Sequence, residues 1–375
     1  MTTLRVIVDQ IVAPHPGGVG RYTEELTRAL IATAPAGADV AGVVSASTEP
    51  EYERIATLLP GLSGLYKSAL ARRELERAWQ HGLTSLPGKG MVHATGMLAP
   101  LSRHDRINDP GNQIAVTLHD TVPWHSPESL PARRVSWYRG MLKRAHKHAD
   151  AVVVPTHAVA AQLRSIADFG DRVRVIGGAV SPKLQRPVDA AERATALGLP
   201  NRYLLAMGPL LRHKAIDSLA TSLAEPALRG IPLLLAGVDD ASAAELATAA
   251  GVEGRVTGLG RLDDADLAVA IGNAAVFVAP SLLEGFGLPV LEAFSLGTPV
   301  VHSDDEAMVE VAGGAGVIVA REDGDGYPRR LAEAIRSVLD DEDLARRLRL
   351  EGSDRARLFS WTDSAERVWQ LHADL

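Results

Sequence analysis

The sequence predicts an α/β protein built from two doubly wound parallel sheets, and three observations carry that reading. Short β-branched runs alternate with helical patterns almost from end to end, as strands joined by crossover helices do. The 375 residues exceed the roughly 100–200 of an ordinary domain, so two domains are expected. A proline-bearing stretch near the middle, SPKLQRPVDAAERATALGLP, lacks a long apolar run and separates two such series.

In the first series, strands are expected near Leu4–Asp9, Val40–Ser45, Gly90–His93, Ile114–Leu118, Ala151–Val154 and Val173–Ile176, with a long helix over Arg134–His148. In the second they fall near Tyr203–Met207, Pro232–Ala236, Arg255–Thr257, Ala275–Ala279, Pro299–His302 and Gly316–Val319. Trp361, Ala365, Val368, Trp369 and Leu371 then recur at helical spacing. The expected organisation is an N-terminal domain over 1–185, a linker over 186–200 and a second domain over 201–358. A closing helix over 359–375 completes it and is a candidate to pack back on the first domain. Two such sheets place ligands beyond the carboxyl ends of their strands, so a cleft between the domains is expected.

Composition narrows the chemistry. Hydrophobic residues at 46% and charged residues at 23% exclude a disordered or coiled-coil chain. Without any cysteine, disulfides, thiolate metal sites and a cysteine nucleophile are excluded. No run approaches the roughly 18 apolar residues of a membrane helix. The start, MTTLRVIVDQ, lacks a signal peptide's basic and apolar sections, so a cytoplasmic location is expected. Net charge is −7, but residues 1–180 carry 20 Lys+Arg against 16 Asp+Glu, and the remainder 19 against 30. The basic half is thus the candidate for an anionic partner or the inner face of a membrane. With aromatics at 4% and no basic stripe interleaved with them, no nucleic-acid partner is expected.

The most informative stretch is PSLLEGFGLPVLEAFSLGTPVV, residues 280–301. A strand runs into the loop Glu284-Gly285-Phe286-Gly287, and Leu288-Pro289 suits the first turn of a helix. Free N–H groups there make a pocket for an anion or polar ligand. Glu284 in the loop and Glu292 in the first turns would repel a phosphate, so at a nucleotide site they should accept hydrogen bonds from sugar or ribose hydroxyls. The competing reading makes Glu292 a favourable helix-start acid and Glu284 a solvated loop residue.

This stretch resembles the E-x7-E region of the retaining glycosyltransferases of family 4, the group 1 glycosyl transferases, which have the GT-B fold of two Rossmann-like domains. The resemblance extends along the chain in order. Pro16 to Tyr22 resembles the family's first glycine loop, Thr117-Leu118-His119-Asp120 its His-Asp segment, and Ala149 to Val152 with Pro155-Thr156-His157 its next strand and turn. Met207 to Lys214 resembles the loop opening its second domain, and Phe359-Ser360-Trp361 its closing segment.

What the resemblance implies is specific. A hexose moves from a nucleoside diphosphate sugar to a hydroxyl acceptor on a polysaccharide, glycolipid or small glycoside, with retention, without metal or other cofactor. Cell-surface polysaccharide synthesis is the family context. The first domain meets the acceptor and the second the donor. Glu284 would hold donor-sugar hydroxyls beside the backbone of Gly285, Phe286, Gly287 and Leu288, and Glu292 the ribose diol. Lys214, with Arg212, would neutralise the diphosphate as it leaves. The family's usual Arg before that Lys is here His213, which Arg212 would have to replace; without the resemblance, Arg212-His213-Lys214 reads as a solvated helix-start cluster. Gly17 and Gly18 would approach a phosphate or the acceptor, or form an ordinary strand-to-helix turn. His119 would act catalytically against the donor sugar near the anomeric carbon, where its side chain or backbone carbonyl can help a developing oxocarbenium, or be structural, and Asp120 reads equally as the helix or turn cap that orients it.

Other patterns suit structural roles. Asp264-Ala265-Asp266 has metal-transferase spacing but opens a helical pattern, so helix capping is expected. His146 and His148 lie on a basic helix without a carboxylate pair at ligand spacing. Two rival functions remain at this stage. One is a sugar-nucleotide binding protein without turnover; the other is a glycosidase using Glu284 and Glu292, which needs carboxyls about 5–9.5 Å apart.

Overall fold

The structure is a computed structural model that describes residues 2–88, 90–105, 111–322 and 324–375. Contacts divide the chain into two compact units, Met1–Gly178 with Ser360–Leu375, and Ala179–Phe359.

The first unit runs β1 (Thr2–Ile7), α1 (Gly17–Ala32), β2 (Ala38–Ala46), α2 (Glu49–Leu58), β3 (Gly64–Ala71), α3 (Arg72–His81), β4 (Met91–Ala94) and β5 (Gln113–Thr117). It continues through α4 (Val122–His125), α5 (Ala132–His148), β6 (Ala151–Val154), α6 (His157–Ile166) and β7 (Val173–Val175). The seven strands are parallel in the order β3-β2-β1-β4-β5-β6-β7, so the winding reverses between β1 and β4. Six of these strands were expected; β3 was not. Its sequence, GLYKSALA, contains no β-branched residue, and as an edge strand it is largely exposed.

The second unit contains α7 (Ala190–Ala196), β8 (Leu204–Met207), α8 (Ile216–Ser222), β9 (Leu233–Ala236), α9 (Asp240–Ala249), β10 (Val256–Gly260) and α10 (Asp264–Gly272). It continues with β11 (Val276–Ala279), α11 (Leu288–Ser295), β12 (Val300–Ser303), α12 (Glu306–Ala312), β13 (Val317–Val319), α13 (Tyr327–Asp340) and α14 (Glu342–Ala356). Its six parallel strands run β10-β9-β8-β11-β12-β13, reversing between β8 and β11. Both faces are buried: Leu204 and Ala206 of β8 enter one apolar cluster, while Tyr203 and Leu205 enter another. This period of two is what a strand covered by helices on both sides requires.

The stretch expected as a linker, 186–200, lies in the second unit and carries α7 between Pro187 and Pro200. Arg193 of α7 reaches Asp189 at 3.0 Å and Asp266 of α10 at 2.8 Å, fixing the segment to that unit. The final helix, α15 (Trp361–Asp374), belongs to the first unit and packs along α1. Ser360 caps it, Trp369 Nε1 donates to the Leu30 carbonyl at 3.2 Å, and Trp361 meets Tyr22 edge-on at 5.5 Å.

Candidate functional site

In the second unit, the loops leaving β8 and β11 flank the point where strand order reverses, the usual ligand position of such sheets. Beyond β8 lies Gly208, at φ +121°, and then a 3-10 turn, Arg212–Lys214. Ala215 follows at φ +48°, the one non-glycine residue with positive φ among the described residues. That conformation costs roughly 1–2 kcal/mol. Strain of this kind persists where the surroundings fix it, commonly beside functional groups. The loop after β11 is fastened to this turn: Leu282 N donates to the His213 carbonyl at 2.7 Å.

The result is a short ion pair. Lys214 Nζ lies 2.5 Å from Glu284 Oε1, which also accepts from Ser281 Oγ at 2.8 Å. Burial alone would raise the Glu284 pKa, but the Lys214 charge and these hydrogen bonds hold it below the ordinary carboxylate value. Glu284 is therefore not a solvated loop residue. Gly287, at φ +81°, is the N-cap of α11, and Pro289 sits in the first turn, as the sequence suggested. Phe286 is buried against Phe359, with ring centroids 5.8 Å apart. Glu292 in the second turn is 3% exposed, so it is not a solvated helix-start acid either. Arg212 is exposed and His213 buried, and Lys214 makes the ion pair with Glu284.

Two residues beside this pair were not anticipated. Ser281 anchors Glu284, and its own carbonyl accepts from Ser303 Oγ at 2.5 Å. Asp305 is fully buried, caps α12 through the Ala307 and Met308 amides, and has its pKa pushed up to about 6, chiefly by burial and partly by the Glu284 charge. Ser281 follows β11, which flanks the reversal point, and Asp305 follows β12, the next strand over, so both lie at carboxyl strand ends where such sheets place ligands.

The Asp264-Ala265-Asp266 expectation is corrected by one residue. The cap of α10 is Asp263, whose Oδ1 accepts from Asp266 N at 2.8 Å, and Asp266 itself binds Arg193. His146 bonds the Asp168 carbonyl at 2.8 Å.

In the first unit, a pocket opens at the reversal point between β1 and β4. Asp9, Gln10, Thr95, His119, Asp120, and Arg72 and Glu76 of α3 line it, with Arg134, Trp137 and Tyr138 of α5. His119 Nε2–H donates to the Thr95 carbonyl at 2.7 Å, and Tyr22 packs edge-on at 4.7 Å. Burial drives its pKa down to about 4, against the opposing Thr95 hydrogen bond, so the ring is neutral at pH 7. Asp120 Oδ1 accepts from Val122 N at 3.0 Å, a turn contact just ahead of α4, whose N-cap is Thr121. Gly17 begins α1 at φ +55°; a Cβ on Gly18 would meet nothing within 4 Å, so sterics do not explain that glycine. Gly20 is the glycine that packing requires, since its Cβ would lie 2.3 Å from Pro16 Cβ.

Among the basic residues of the first unit, Arg72 and Arg134 face this pocket and Arg144 bonds the Leu101 carbonyl. Arg73, Arg133, Lys143 and Lys147 are exposed. No helix among the described residues is long and apolar enough to cross a membrane.

Two parallel Rossmann-like sheets, each with polar residues gathered at its reversal point, are the architecture of GT-B proteins. The chain matches the family described as Glycosyltransferase Family 4 over residues 16–184, and that described as Glycosyl transferases group 1 over 189–355. It belongs to this glycosyltransferase family, as the sequence resemblance implied. The O-antigen chain mannosyltransferase B of Escherichia coli is 29% identical to it, over 66% of this chain and 67% of that one. The D-inositol 3-phosphate glycosyltransferase 1 of Catenulispora acidiphila is 26% identical over 99% of this chain and 95% of its own. Among solved structures, Anabaena HepE in complex with UDP-glucose superposes with a TM-score of 0.73 at 16% identity, covering 100% of both chains. That likeness shows the fold.

Proposed function

We propose that this glycosyltransferase moves a hexose from a nucleoside diphosphate sugar to a hydroxyl acceptor, with retention and without a metal ion. The observation that carries the reading is the Lys214–Glu284 pair at the reversal point of the second sheet. A nucleoside diphosphate sugar offers each member a better partner: its phosphates take the ammonium, and its sugar hydroxyls donate to the carboxylate. Lys214 then stabilises negative charge on the departing diphosphate, with Arg212 in the adjacent position. The buried Glu292 accepts from the ribose diol, and the backbone of Gly285 to Leu288 lies beside the sugar. His119 and the glycine loop at Gly17 and Gly18 belong to the first unit, which takes the acceptor.

For retention we favour attack on the same face as the leaving diphosphate, whose oxygen receives the acceptor's proton. The depressed Glu284 pKa argues against Glu284 as a glycosidase acid, which must stay protonated near neutrality. Binding without turnover is the competing reading, favoured by His213 in place of the family's usual arginine. Any attraction to an anionic membrane falls to Arg73, Arg133, Lys143 and Lys147, at about 1 kcal/mol each near the surface.

The test is a panel of UDP, GDP, ADP and dTDP sugars with saccharide acceptors, read by nucleotide release and by NMR of the product's anomeric centre. An α-linked product from an α-linked donor is expected. Inversion, or binding with no release from any donor, would overturn the respective part of the proposal.

A further inference from the structure

The charges around the first unit's pocket are already committed to one another. Asp9, 1% exposed, accepts from Ser45 N at 2.9 Å through Oδ1 and pairs with Arg72 Nη1 at 2.6 Å through Oδ2. The same guanidinium also donates to the Asp9 carbonyl at 2.8 Å and to Gln10 Oε1 at 2.6 Å. Arg134 Nη1 reaches Glu76 Oε1 at 3.3 Å, and its guanidinium lies 4.5 Å from the Trp137 ring centre. Three acids, Asp9, Glu76 and Asp120, line the pocket against two bases, Arg72 and Arg134, with His119 uncharged.

A phosphate entering here gains little. Recruiting Arg72 would strip a cation from Asp9, and removing one partner of a buried pair leaves an uncompensated charge. Recruiting Arg134 would leave Glu76 only the longer Arg72 Nε contact, at 3.8 Å, and would add negative charge to a pocket whose acids already outnumber its bases. A hydroxyl is different: it can donate to Glu76 or Asp120 and accept from a guanidinium edge without any ion pair breaking. The apolar walls, Val19, Met97, Leu98 and Leu118, suit the C–H faces of a ring.

We infer that this pocket takes an uncharged polyol, a glycosyl or cyclitol unit bearing the acceptor hydroxyl, and discriminates against its phosphorylated counterpart. This rests on the acceptor role proposed for the first unit and adds the acceptor's charge class. Glu76 acts as the specificity-determining residue, by holding Arg134 away from an anionic ligand and by presenting a carboxylate to hydroxyls.

Saturation-transfer NMR on the full chain without donor tests this separately from turnover. The probes are methyl α-D-mannoside, methyl α-D-glucoside and myo-inositol, against mannose 6-phosphate, glucose 6-phosphate and inositol 3-phosphate, each at about 10 mM, above most enzyme KM values. At least one uncharged probe should bind, about tenfold or more tighter than its phosphorylated partner. In Glu76→Gln, checked for an unchanged melting temperature, that preference should shrink or reverse as Arg134 is released. Should that variant fail to fold, the wild-type ranking decides alone. Tighter wild-type binding of any phosphorylated probe than of its parent, no binding of any uncharged probe, or an unchanged preference in folded Glu76→Gln overturns the inference. Binding with no transfer from any donor would leave it standing and sink the transferase reading instead.

Discussion

The ammonium of Lys214 lies 2.5 Å from Oε1 of Glu284, joining the loop after β8 to the loop after β11. If each group exchanges this partner for part of the donor, Lys214→Ala and Glu284→Ala should each lower kcat/KM by about 10²–10³. The double variant should lose less than the product of the two, because the residues act as a unit. Each single change also leaves its partner half-buried and unpaired, at about 1–3 kcal/mol, and the double change should recover part of that. Near-wild-type turnover in Glu284→Ala, or strict additivity in both readouts, would remove the pair from the site.

If Lys214 stabilises the departing diphosphate as proposed, a divalent ion is dispensable. Turnover should survive excess EDTA, and Lys214→Ala should lose far more activity than Asp264→Ala or Asp266→Ala. Asp266→Ala should cost only the Arg193 bridge on a partly exposed surface, where solvent screens the pair. Activity lost to EDTA and restored by Mg²⁺ or Mn²⁺ would reassign the chemistry.

The residues that were legible in the sequence are those whose local pattern carries its own mechanism. Gly287 and Pro289 announced the start of α11, and short apolar runs between helical patterns announced twelve of the strands, ten of them carrying β-branched residues and two, β8 and β9, built on leucine. β3 was hidden because an edge strand needs neither two buried faces nor β-branched residues. The Lys214–Glu284 bond was hidden for another reason. It joins positions 70 residues apart, and only the strand order puts β8 beside β11. The same holds for Arg72 and Asp9: the sequence showed a basic residue, and the fold spends its charge on a buried acid.

A buried histidine pair gives the first unit an acid limit. His372 of α15 hydrogen-bonds Gln113 at 3.1 Å and meets His93 at 3.4 Å, with Asp150 nearby and itself bound to His104. Burial lowers the His93 pKa to about 3 and that of His372 to about 4. Both are neutral when folded, and the unfolded chain takes up their protons below about 6.5. Stability is therefore full above pH 6.5 and falls as the pH drops toward 4, by up to about 2 kcal/mol per histidine at pH 5. His93→Gln should flatten the acid limb of a melting-temperature profile. An acid limb identical to wild type would show that other groups set it.

The first unit is completed by a helix that arrives after the whole second unit has been made, so its stability should depend on α15. Trp369 is 8% exposed and combines two contributions, packing along α1 and an N–H donated to the Leu30 carbonyl at 3.2 Å. The two can be separated. Trp369→Phe keeps an aromatic ring but leaves that carbonyl without the indole donor, at about 1 kcal/mol. Trp369→Ala also opens a cavity and should cost about 3–5 kcal/mol. Because a chain of two units need not unfold in one step, the readout must be local, and amide exchange in α1 supplies it. Protection of the α1 amides should fall in the order wild type, Phe, Ala, with the α11 and α13 amides of the second unit unchanged. Equal protection in all three proteins would mean that α1 is held by its own sheet and that α15 contributes nothing to it.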